Sequence, residues 1–133
     1  MSRHLIGLSL TALLLAGAAA PIAMAEDHPP ASKDTCFYAR DWEDWKSPSP
    51  TVIYLRVGAS QIFRFDLSQG ADALKYSDAR LINRHETSAW ICSPTDLDLR
   101  LTSRSGDTQP LFVKSITRLT PTEIEAIPEQ FRP

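Results

Sequence analysis

The chain has few of the residues that most reaction chemistry requires. In 133 residues there are three histidines, two cysteines and five glycines. No Gly-x-Ser-x-Gly, His-Glu-x-x-His, phosphate-loop or zinc-spaced pattern occurs, so nothing points to a motif-borne hydrolase, metalloprotease or nucleotide enzyme. Cys-x-x-Cys is absent and neither cysteine has a cation beside it in sequence, which removes the usual signs of a redox thiol. There is no basic block: 14 Lys and Arg stand against 16 Asp and Glu, whereas nucleic acid is gripped through clustered cations. No internal repeat is visible.

The first feature present is an export signal. Arg3 supplies a positive start, Leu5 to Ala20 an apolar run, and Ala23-Met24-Ala25 a small-residue cleavage site, so residues 1–25 read as a removable signal peptide. The run contains Ser9 and Thr11 and is shorter than the roughly 20 apolar residues that a bilayer core demands. No transmembrane segment is expected in the mature chain. No cysteine follows the cleavage region to carry a lipid. Cleavage removes Arg3 and takes the formal charge from −2 to −3. Residues 26–133 suffice for one modest core and are too few for two domains. The expected location is periplasmic or secreted.

In such a compartment an even pair of cysteines reads as a disulfide, here Cys36–Cys92. Residues 26–35, with Pro29 and Pro30 and no apolar periodicity, read as a flexible leader, and residues 36–133 as a single β-rich domain. The clearest strand pair spans Thr51 to Leu67: Ile53, Leu55 and Val57 alternate with polar positions, Gly58-Ala59-Ser60 turns, and Phe63, Phe65 and Leu67 return on the same face. Asp96 to Thr102 also alternates strictly, placing Leu97, Leu99 and Leu101 inward after the Ser93-Pro94-Thr95-Asp96 turn. Arg80–Glu86 and Ser88–Cys92 are expected to pair with each other, Thr102–Pro110 to be a loop, and Leu111–Ile116 a last short strand. Ala71–Tyr76 is a candidate short helix. Thr120-Pro121-Thr122-Glu123 is a capping box, predicting a helix to about Ile127 that Pro128 ends, with Ile124 and Ile127 on its core side.

Taken together, several of these segments resemble a family of small exported bacterial proteins known only as a domain of unknown function. The resemblance rests on Cys36-Phe37, Tyr54-Leu55-Arg56-Val57-Gly58, Ile91-Cys92-Ser93-Pro94-Thr95-Asp96, Ile116 to Glu123, and the closing Arg132-Pro133. It covers nearly all of residues 36–133, implies an exported fold and hands over no catalytic residue. Members of that family often carry two further cysteines near the positions of Asp72 and Val113, and this chain lacks them.

The candidate site residues are few. Trp42 and Trp45, three apart and ahead of Ser47-Pro48-Ser49-Pro50, belong to one helical turn or an irregular strand. They are core anchors first and a possible surface contact second. If cleavage follows Ala25, the chain starts Glu26-Asp27-His28, whose free amine, amides and imidazole suit square-planar Cu(II) or Ni(II). His85, flanked by Arg84 and near Glu86 and Ser88, reads as a surface histidine rather than a general base. Asp96 and Asp98 form a solvated face before they form a Ca²⁺ site. No resident cofactor is expected. The sequence therefore predicts a mainly β domain with a minor α component: a single curled antiparallel sheet or small barrel of about five to seven strands, closed by a short C-terminal helix. The functional expectation is a non-enzymatic interaction or envelope-accessory protein with an unknown protein or envelope component as partner. The alternative is Cu(II) or Ni(II) binding at Glu26, Asp27 and His28.

Overall fold

A computed structural model describes residues 35–85 and 89–133. The proposed signal, the leader up to residue 34, and Glu86 and Ser88 lie outside them. Among the described residues nine strands form: β1 (Phe37–Tyr38), β2 (Trp42–Ser49), β3 (Val52–Val57), β4 (Gln61–Leu67), β5 (Arg80–Asn83), β6 (Trp90–Ile91), β7 (Leu99–Thr102), β8 (Thr108–Pro110) and β9 (Val113–Arg118). One α-helix follows, α1 (Pro121–Glu125). The fold is mainly β, as the alternation predicts. The described strands make three antiparallel sheets, ordered β2-β3-β4-β9, β5-β7-β8 and β1-β6, instead of one curled sheet or a closed barrel.

The hairpin β3–β4 supplies the centre of the core. Its register sets Ile53 opposite Phe65 and Leu55 opposite Phe63, and all four side chains are fully buried. Removing that apolar surface from water is the main force holding the sheet face down. Phe37 from β1 joins them, its ring 4.7 Å from that of Phe63. Gly58 turns the hairpin with φ of 56°, a left-handed conformation that only glycine adopts without penalty. Ile62 alternates outward and yet is buried, because the polypeptide after β9 returns over that face: Leu119 donates to the Ile62 carbonyl at 2.9 Å, and Ile127 is buried too.

Cys36 and Cys92 are bridged, as expected, and tie the start of β1 to the end of β6. Such a loop closure contributes about 4 kcal/mol in the chain-entropy account. The bridge also explains a correction. The segments around Arg80 and Trp90 do not pair with each other: β6 pairs with β1, with Ile91 opposite Phe37, and β5 pairs with β7, with Leu81 opposite Leu101. The disulfide fixes the neighbour of β6, and the leucine pair gives β5 a better apolar partner.

Three boundaries differ from the expectation. Pro94–Asp96 forms a turn of 3-10 helix, so the strand starts at Leu99 and not at Asp96; Leu99 and Leu101 are buried and Leu97 packs partly against the core. The expected loop ends in β8, a fully exposed edge strand invisible to an alternation test. The last strand runs from Val113 to Arg118, two residues beyond the predicted span. Ala71–Tyr76 contains a 3-10 turn at Asp72–Lys75 with Leu74 buried.

The capping box forms as read: Glu123 N–H donates to Thr120 Oγ1 at 3.3 Å and Thr120 N–H to Glu123 Oε2 at 2.8 Å. The helix stops at Glu125, short of Ile127, and Arg132 closes it by donating to the Glu125 carbonyl at 3.0 Å and the Ile127 carbonyl at 2.8 Å. Carbonyls at a helix end need such donors. The terminal arginine thus has a structural role.

Candidate functional site

Two residues three apart fall on opposite faces of a regular strand. Trp42 and Trp45 nevertheless both pack partly against the core, because β2 carries a register shift between Trp42 and Asp44. The extra residue, exposed Glu43, turns the strand by one position and brings both indoles to the same side. The irregular-strand reading of Trp42–Lys46 is the one observed.

Across from β2 lies the edge of a different sheet. Trp42, Glu43, Asp44 and Trp45 line one wall of an open groove of about 590 Å³; Ala79 and β5 line the other, with Ala39 and His85 completing it. On β5, Leu81 turns to the core while Ile82 is 42 % exposed. No local pattern links Trp42, Trp45 and His85; the fold brings them together through this groove.

His85 is exposed, and its Nδ1 lies 2.6 Å from the Asp96 carbonyl. A carbonyl only accepts, so Nδ1 donates in this contact. The Asp96 carboxylate is engaged elsewhere, accepting from Cys92 N–H at 3.0 Å and Ser93 N–H at 2.9 Å. The Cys92 amide, then the amide and hydroxyl of Ser93, hold its pKa below the ordinary carboxylate range against the opposing effect of burial, with a smaller contribution from His85. Asp98 is paired with Arg100 at 2.9 Å. These two acids therefore brace the turn and the strand instead of converging as cation ligands. Among the described residues no group of three His, Cys, Asp or Glu is placed to hold a metal ion. Glu26, Asp27 and His28 lie outside those residues.

Among the described residues the groove lining contains acids, an imidazole, a guanidinium and two indoles, but no hydroxyl, thiol or amine nucleophile. His85 leans on a backbone carbonyl, and among the described residues no carboxylate orients it as in an acid–base dyad. Asp44 is engaged as well, its Oδ1 accepting the Trp45 N–H at 2.8 Å. What the site offers is contact surface: aromatic faces, an exposed isoleucine and strand edges. Asn83 contributes one further group, a buried Nδ2 without an acceptor among the described residues, while its Oδ1 accepts from Asp98 N–H at 3.0 Å.

The most exposed tryptophan was not among the sequence candidates. Trp90 is 54 % exposed and stands beside Tyr38, ring centroids 3.9 Å apart, with the Arg40 guanidinium 4.9 Å from the Tyr38 ring. Alternation contained the signal: Ile91 points inward, so Trp90 on the same strand points out.

Comparison with family models, with curated proteins and with solved structures found no match.

Proposed function

We propose that this is an exported, non-enzymatic interaction domain whose contact surface is the groove between β2 and β5. The observation that carries the reading is the meeting of two sheet edges, Trp42, Trp45 and exposed Ile82 around one cleft whose described lining holds no hydroxyl, thiol or amine nucleophile. Exposed apolar side chains beside half-buried aromatics are what contact surfaces retain. Export is supported by the signal-like residues 1–25, by the Cys36–Cys92 bridge, which persists in oxidising compartments, and by the resemblance to small exported proteins. Among the described residues no helix is long and apolar enough to cross a membrane.

The test places a photo-crosslinking side chain at Ile82 and, separately, at Lys114 on β9. A partner captured in the native compartment from position 82 and not from position 114 supports the reading. Equal capture from both, or capture from neither, overturns it.

A second proposal concerns the terminus. The small-residue site ending at Ala25 places His28 third in a mature chain that begins Glu26-Asp27. Such a terminus binds Cu(II) or Ni(II) in a square plane. A Cu(II) titration of the exported protein that is unchanged by His28→Ala rules it out.

A further inference from the structure

The groove is bounded by backbone that is not fully paired, and the direction of each peptide group follows from the register. Adjacent antiparallel residues alternate between facing the partner strand and facing away. Arg84 N–H donates to the Asp98 carbonyl at 3.0 Å, in step with the pairing of Ile82 with Arg100, so Arg84, Ile82 and Arg80 face β7. The peptide groups of Leu81 and Asn83 therefore face the other way, and neither has a backbone partner beyond its own sheet among the described residues. On β2 the same logic applies. Leu67 N–H donates to the Thr51 carbonyl at 2.8 Å, so Tyr54 and Arg56 turn their peptides to β2 and engage Lys46 and Asp44. Trp45, between them, faces the groove. Its N–H is closed by Asp44, which leaves its carbonyl.

We propose that the groove receives an extended segment of a partner polypeptide as an added strand, hydrogen-bonded to β5 and flanked by β2. This rests on reading the groove as the contact surface and specifies its partner. Open strand edges are normally blunted, and β2 shows how: register shifts bracket its regular part, between Trp42 and Asp44 and between Lys46 and Ser49. β5 is guarded more lightly: it is four residues long and carries the charge of Arg80, but it has no register shift and no proline, and exposed Arg80 and Ile82 stand on the face away from the core. Main-chain hydrogen bonds supply affinity in strand addition, and alternate side chains supply selectivity.

Charge defines the occupant. Glu43 stands on the β2 wall and Arg80 on the β5 wall, and neither is in an ion pair among the described residues. An added strand presents cross-strand neighbours to both walls at once. The complementary segment carries an acidic and an apolar residue two apart, beside Arg80 and Ile82, and a basic residue beside Glu43.

The probe is a short capped valine–threonine peptide with one glutamate and one lysine, compared with the same peptide N-methylated at alternate amides. Methylation removes backbone donors and leaves the side chains. Titration into the disulfide-bonded protein is followed by amide chemical shifts. The unmethylated peptide is expected to move Leu81, Asn83 and Trp45, and methylation to weaken binding about tenfold or more, the equivalent of one lost net hydrogen bond. Equal affinity for both peptides at these residues overturns strand addition and leaves the groove as the contact surface. Shifts centred on Trp90 and Tyr38 overturn both. Three other results also overturn the proposal: no binding at millimolar peptide, a dimer of this chain that closes the groove, or an oligosaccharide that moves these amides when the peptide does not.

Discussion

β3 and β2 are hydrogen-bonded neighbours in one sheet, yet they use their side chains in opposite ways. β3 alternates without a break, and every second residue is buried. β2 has no fully buried residue, carries two register shifts, and spends its aromatic surface partly on the core and partly on a groove. Stability is concentrated where the pleat is regular. Recognition surface appears where the pleat is broken, since a bulge releases side chains and peptide groups from the ladder.

The largest effect should come from the regular side. Phe65→Ala empties a fully buried site in β4 opposite Ile53, and a loss of about 3–5 kcal/mol in urea-induced unfolding is expected. A loss below about 1 kcal/mol would mean that the hairpin is not the core. The placement of the tryptophans is tested next by Trp45→Ala. The register shift turns this half-buried indole to the core side, and loss of its burial should cost about 2–3 kcal/mol. Unchanged stability would show that the indole does not pack on the core.

Smaller effects separate turns from strands. At Gly58 a side chain would meet nothing within 4 Å, so the cost of Gly58→Ala is conformational alone, about 1–2 kcal/mol. The carboxylates of Asp96 and Glu123 come after that. Both are held below their ordinary pKa, Asp96 first by the Cys92 amide and Glu123 first by the Thr120 amide and then its hydroxyl. A depressed folded pKa gives stability that is present above the unfolded carboxylate value and is lost as pH falls through the folded one. Stability should therefore decline on acidification, and Asp96→Ala should flatten that decline while costing about 1 kcal/mol at neutral pH, the size of a lost cap. An identical acid profile in the variant would remove Asp96 from the account.

How far these features were legible follows from the same contrast. Ile53 to Leu67 could be read directly, because a period of two with a glycine turn has few other meanings; the disulfide follows from a single cysteine pair in an oxidising compartment, and the capping box from short-range chemistry. β8 could not be read: its three residues are all exposed, so no apolar pattern marks them. The partner of β5 was misassigned because pairing across a sheet is a long-range choice, here made by Leu101 and by the disulfide that claims β6 for β1. The groove was half visible. Trp42, Trp45 and His85 drew attention singly, but only the meeting of two sheet edges makes them one site, and no local pattern encodes that meeting.

The smallest expected effect sharpens the comparison most. Ile82 sits on an edge strand, 42 % exposed, with its peptide group turned to β7 and its side chain on the face away from the core. Ile82→Thr keeps the β-branched shape that suits a strand and removes apolar contact surface, so thermal and urea unfolding should move by no more than about 0.5 kcal/mol. Binding of an extended peptide in the groove should fall in the same variant. If stability falls with it, Ile82 is part of the core and the division between the two kinds of strand is wrong. If neither changes, the exposed isoleucine is not part of the contact surface, and the Trp90–Tyr38 pair becomes the aromatic surface to examine.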